Sequence, residues 1–151
     1  MTAFERARLT TEAYFMGRLR SYPAALQTTF FSNAADLLGK LRPMLLQASL
    51  EGVELLAHPA THSVVLSGWR PLGTTDRTAV LSPSLHASCQ ACDLFDPFKH
   101  LAVWLSVHQM LAAEQGLWFL DFALTPDWVH AQTKPAGDAQ RIFRPRQEET
   151  A

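Results

Sequence analysis

The chain is poor in most of the features that would assign it quickly. Only two of its 151 residues are cysteine, Cys89 and Cys92, so no disulfide framework can be drawn. No apolar run approaches the ~20 residues of a membrane-spanning helix, and membrane insertion is not expected. Charge of one sign is missing too: 13 Lys and Arg stand against 14 Asp and Glu, a formal net charge of −1. That balance offers no electrostatic reason to expect nucleic acid or an anionic membrane as a partner. The opening residues, Met1 to Arg8, lack the basic-then-apolar order of a secretory signal, so synthesis and folding in the cytoplasm are expected. There is no internal repeat.

What is present describes an ordinary globular chain. A hydrophobic fraction of 48% against 18% charged residues suits one domain over residues 1–151. A chain of this length buries roughly 70% of the surface of its unfolded form. Residues 1–60 read as a mainly helical scaffold without evident chemistry. Phe4, Ala7, Ala13, Met16 and Leu19 recur at helical spacing among charged residues, with Thr10 or Thr11 as N-cap, and Ser21-Tyr-Pro23 breaks the pattern. A second helix is expected from about Asn33 to Leu50, with Ala34, Leu37, Leu38, Leu41, Leu45 and Ala48 on its buried stripe. Pro43 should kink or split it, Gly52 should end it, and a strand start is expected at Val53–Leu56. His58 and His62 have the spacing of a helical metal pair, but Pro59 between them favours a loop.

Residues 62–133 hold the candidate chemistry. A buried strand from His62 to Gly68 should deliver Arg70 into a loop that runs to Pro83. Asp96 and Pro97 should open a helix that Gly116 ends, with Phe98, Leu101, Leu105 and Ala112 inside and His100 and His108 in ordinary surface or packing roles. Residues 117–122 and 128–132 read as two strands joined by a Thr-Pro turn. The segment 134–151 is polar and expected to be loosely ordered. Two short clusters stand out within this half: Ser84, His86 and Asp93, answered by Asp127 and His130. Together they offer two imidazoles and a carboxylate as candidate metal ligands, with a second carboxylate behind one of them. Zinc hydrolases need three protein ligands, an open position for water and a nearby base. On the clusters alone, a zinc site and scattered polar residues both remain open. Gln132, two residues after His130 on a strand, should point the same way, and Trp69 and Trp128 suit either a cleft wall or the core. The Cys89–Cys92 spacing invites a redox or thiolate-metal reading. No second ligand pair exists for the latter, and packing positions are the expectation.

The order Ser67-Gly-Trp-Arg70, Ser84-x-His86-x6-Asp93 and Asp127-x-x-His130 resembles the D-alanyl-D-alanine carboxypeptidase family of zinc peptidases. That family includes phage L-alanyl-D-glutamate endolysins and shares a superfamily with the hedgehog signalling domain. The resemblance covers about Val64 to Gln132, and Gly116-Leu-Trp118 and Thr125 to Thr133 look closest to phage-borne members. It implies Zn2+ held by His86, Asp93 and His130, with Asp127 as acid–base group and Arg70 on the substrate and its transition state. It further implies that Ser84 orders the His86 segment; Trp128 and Gln132, by their place beside His130 rather than by the resemblance, are weaker candidates for substrate or supporting contacts. Two departures stand against the commonest pattern: Asp127 where Glu is usual, and Cys89 where Gly is common.

The expected fold is α+β, with helices packed on a small antiparallel sheet and zinc in an open cleft. The expected function is zinc-dependent hydrolysis of peptidoglycan stem peptides next to D-amino acids, in a phage or prophage endolysin that meets the wall after release or within a virion. The competing expectation is a non-catalytic zinc-binding structural or wall-binding module of a phage particle. Oligomeric state is left open.

Overall fold

The computed structural model describes residues 2–18, 24–70, 85–136 and 140–144. The helices are α1 (Ala3–Arg6), α2 (Thr11–Phe15), α3 (Ala24–Leu50), α4 (His100–Val107) and α5 (Gln109–Gln115). The strands are β1 (Val65–Ser67), β2 (Ala91–Phe95), β3 (Trp118–Leu120), β4 (Trp128–Gln132) and β5 (Ile142–Phe143), with a 3-10 turn at Phe122–Leu124. Among the described residues no helix is long and apolar enough to cross a membrane.

The α+β class is as expected, but the sheet is not purely antiparallel. Its order is β1-β2-β4-β3-β5. The first four strands pair antiparallel, while β5 runs parallel to β3. The added strand comes from the segment expected to be loosely ordered. Phe119 N–H donates to the Arg141 carbonyl and Asp121 N–H to that of Phe143, both at 2.7 Å. The Arg141 guanidinium also covers the Trp118 ring at 3.9 Å. Two paired residues are too few to leave a periodic signal.

Thr10 is the α2 cap, accepting from Ala13 N–H at 3.1 Å. Helix α3 starts nine residues earlier than expected and runs unbroken through Pro43. A proline removes one backbone hydrogen bond. Burial of the stripe on both sides of it (Leu41, Met44, Leu45) offsets that loss, and the six expected stripe residues are all buried. Gly52 follows the helix with φ 96°, and Val53 N–H returns to the Ala48 carbonyl. Residues 53–56 form no strand; they lead instead to an isolated bridge between His58 and Ser63.

The helix expected from Asp96–Pro97 is also different. It begins at His100, beyond a turn, and divides at His108. Asp96 still caps it from a distance, its two carboxylate oxygens accepting from Leu101 N–H at 3.0 Å and Ala102 N–H at 2.9 Å. The division has a local cause. His108 Nδ1 sits 2.7 Å from the Trp104 carbonyl, taking the acceptor its own backbone N–H would use in a continuous helix. That N–H turns to Leu105 instead. Leu101, Leu105 and Ala112 are buried as expected, but Phe98 is 68% exposed. His100 is exposed, and His108 stacks on Trp104 with its Nε2 3.4 Å from Glu51 Oε1, a packing role as expected.

Alternation along β2 and β4 separates two faces. Cys92, Leu94, Val129 and Ala131 are fully buried and join the same hydrophobic core as the α3 stripe. Asp93, Phe95, Trp128, His130 and Gln132 share the other face.

Candidate metal centre

Asp93 and His130 are direct cross-strand partners in the β2–β4 ladder, which brings their side chains together on one face. His86 comes from the turn ahead of β2. That turn is pinned on several sides: Trp69 Nε1–H donates to the Ala87 carbonyl, Asn33 Nδ2–H to that of Ser88, and the Tyr14 hydroxyl to that of Ala91. Cys89 completes it with φ 61°, the left-handed conformation that favours glycine. Trp69 is wholly buried against Phe15 and Phe30, so it belongs to the core and braces the turn from there.

One ligand atom from each of His86, Asp93 and His130 lies within 4.8 Å of the others. His130 Nδ1 is 2.9 Å and His86 Nε2 3.4 Å from Asp93 Oδ1. The Arg70 guanidinium approaches Asp93 Oδ2 at 3.4 Å, and Arg70 N–H donates to the His86 carbonyl at 3.2 Å. Burial alone would raise the Asp93 pKa, but where the His130 and His86 rings carry a second proton their hydrogen bonds and charge outweigh it and hold the carboxyl well below its usual range. Asp93 is therefore an anion at neutral pH.

The hydrogen-bond pattern around the rings fixes which nitrogens face that anion. His86 Nδ1 lies 2.8 Å from the Gly68 carbonyl, which only accepts, so Nδ1 carries the proton and Nε2 turns its lone pair to the cluster. The Gln132 amide nitrogen donates to the Lys134 carbonyl at 2.8 Å, which turns Gln132 Oε1 to His130 Nε2 at 3.0 Å. His130 then carries its proton on Nε2 and presents the Nδ1 lone pair to Asp93. Two imidazole lone pairs thus converge on one carboxylate oxygen. Such a set repels itself unless protons or a cation sit among the three groups. Two imidazoles and a carboxylate, each outer ring N–H already bonded to a carbonyl or amide oxygen, form a donor set that fits a borderline divalent cation.

Gly68 is essential to this arrangement in a way that its residue type foretold only in outline. A Cβ there would overlap the Tyr14 carbonyl oxygen and lie 2.8 Å from its carbonyl carbon. The bare backbone lets the segment pass close enough for Trp69 N–H to donate to that oxygen at 3.0 Å. The Gly68 and Lys134 carbonyls were not foreseen as part of the site; neither has a side-chain signature.

The structure thus brings together His86, Asp93, His130, Arg70 and Gln132. It does not tie in Asp127, which precedes β4 and is exposed. Its carbonyl accepts from Asp96 N–H at 2.9 Å, and among the described residues its carboxylate makes no hydrogen bond or ion pair. Trp128 is half-buried opposite Phe95, one pair further along from His130 on the same face. Ser84 lies outside the described residues, as does the whole 71–83 loop. Cys89 and Cys92 are buried free thiols. Burial pushes the Cys89 thiol up to about 12 and raises that of Cys92 as well, the reverse of what a redox pair needs. No family model matches the chain, and no curated protein or solved structure matches it either.

Proposed function

We propose that this protein is a zinc-dependent peptidase that hydrolyses peptidoglycan stem peptides next to D-amino acids, as a D-Ala-D-Ala carboxypeptidase or an L-Ala-D-Glu endopeptidase. The observation that carries the metal half of this reading is the convergence of the His86 Nε2 and His130 Nδ1 lone pairs on Asp93 Oδ1. The resemblance in residue order supplies the peptidase half. His86, Asp93 and His130 would hold the ion, leaving it a net positive charge and an open position. When bound, Zn2+ supplies Lewis acidity toward the scissile carbonyl and the attacking water.

The chain's own groups would do the rest. Asp127, exposed and with no hydrogen bond to its carboxylate among the described residues, takes a proton from the water and returns it to the leaving amine. Arg70, anchored through its backbone to His86, offers a guanidinium to charge that develops on the carbonyl oxygen or to a substrate carboxylate. The substrate cleft over the cluster, and a phage or prophage origin with access to the wall after lysis or from a virion, belong to the same proposal.

The test is mass spectrometry of purified peptidoglycan fragments after incubation with zinc-loaded protein, with Asp127→Ala alongside. New products that fall roughly 10²-fold or more in the variant, at equal zinc content, support the reading and identify the bond cut. An absence of products across several wall chemistries, with zinc bound, replaces it with a non-catalytic zinc-binding module.

A further inference from the structure

A second concave feature lies apart from the metal cluster. A groove of about 860 Å3 runs between residues 5–10 and 57–62. Its two walls are joined beneath the floor. Val64 N–H donates to the Ala7 carbonyl and the Ser63 hydroxyl to the Arg8 carbonyl, both at 2.7 Å, and Ala7, Ser63 and Val64 are buried. The Arg42 guanidinium holds the Leu9 carbonyl of the same wall at 2.9 Å. Main-chain bonds therefore set the shape before any ligand arrives.

The lining is rich in donors and short of acceptors. Arg8, His58 and His62 line the groove beside one carboxylate, Glu5. That carboxylate is already engaged, accepting from Thr2 N–H at 2.6 Å in the α1 capping box. His58 Nδ1 accepts from Ala60 N–H at 3.0 Å, so the neutral ring carries its hydrogen on Nε2 and can only donate there. Its ring is fixed edge-on against Phe95 at 4.8 Å. Arg8 and His62 line the groove from left-handed backbone, φ 52° and 54°, conformations costly for residues other than glycine.

We infer that this groove binds an oxyanion, the phosphate or carboxylate group of a ligand. A guanidinium fork and a fixed imidazole N–H in a rigid concavity match such a group, and among the described residues of the lining the only carboxylate is the engaged Glu5. The inference does not rest on the metal reading, since none of the groove residues belongs to the His86–Asp93–His130 cluster.

The probes are inorganic phosphate and, in parallel, succinate, titrated at constant ionic strength while imidazole NMR resonances are followed. The comparison protein is Arg8→Asn/His62→Asn, because Asn tolerates left-handed backbone, with its melting temperature and zinc content checked against wild type. Expected are saturable shifts at His58 and His62 with at least one probe, and binding about tenfold weaker in the variant, the scale of one lost hydrogen bond to a charged group. A stronger response to phosphate identifies a phosphate ester as the ligand class, and a stronger response to succinate a carboxylate. Shifts no larger than a chloride control gives, or binding unchanged in the variant, would overturn the assignment.

Discussion

If the His86–Asp93–His130 cluster holds zinc as proposed, Gln132→Leu should weaken that binding without touching a proposed ligand. In the native site the Gln132 amide is held by the Lys134 carbonyl, and its oxygen fixes the hydrogen of His130 on Nε2. That leaves Nδ1, 2.9 Å from Asp93 Oδ1, as the donor atom. Leucine has a similar bulk but no acceptor, so the ring is free to rotate and to place its hydrogen on Nδ1, where it opposes the metal. Loss of such an outer partner typically costs 10–100-fold in metal affinity, about 1.4–2.7 kcal/mol. Because Gln132 is only 7% exposed, losing its amide should also cost fold stability, by about 0.5–1.5 kcal/mol for the hydrogen bond to Lys134. Gln132→Glu separates the two effects. Its carboxylate restores the acceptor opposite His130 but cannot donate to Lys134, so zinc affinity should recover while stability stays reduced. Competition against a chromophoric chelator reads the affinity, and urea unfolding reads the stability. Equal zinc affinity in wild type and a folded Gln132→Leu would refute the argument that this amide selects the ligating nitrogen.

Three further outcomes can be checked. Gly68→Ala should destabilise the fold and weaken zinc binding together, because the new methyl group displaces the segment from Tyr14 and with it the carbonyl that orients His86; denaturant melts and zinc titration report both, and a wild-type melt would contradict the packing. Iodoacetamide at pH 8 should label neither Cys89 nor Cys92 in the folded protein and both after unfolding, since burial raises both thiols; rapid labelling of the native chain would reject that. In metal-free protein the depressed Asp93 pKa contributes stability at pH values above the unfolded-state value of about 3.9, and this is lost as pH falls through and below it toward the folded pKa. Urea unfolding between about pH 6 and pH 3 should show that loss in wild type but not in Asp93→Asn, and parallel curves would assign the acid sensitivity elsewhere.

The parts of the fold that were legible in the residues are those where one local rule operates. The α3 stripe follows from helical spacing, and the α2 cap and the Gly116 stop from residue types suited to helix ends. Strands β3 and β4 follow from apolar and aromatic runs on either side of a Thr-Pro turn. Legibility fails where two rules compete. Pro97 suits a first helical turn, yet the chain turns through residues 97–99 and Asp96 caps across the gap. His108 has a fair helical propensity, yet its ring captures the carbonyl its backbone needed. Phe98 fits the helical stripe by spacing, but the late start of α4 leaves it outside.

The candidate site shows the same division more sharply. His86, Asp93 and His130 are conspicuous because few residue types bind metals, and their spacing survives as an antiparallel pair plus a turn. Which ring nitrogen each histidine presents is not encoded by those types at all. It depends on where the Gly68 and Lys134 carbonyls fall, and a carbonyl belongs to every residue. Gly68 can stand there because it lacks a side chain, and Lys134 matters through an atom its own side chain does not supply. The electrostatic state of the cluster is therefore a property of the main-chain path. A chain that kept all three candidate ligands but moved either carbonyl by an ångström or two would keep the motif and lose the convergence of lone pairs on Asp93.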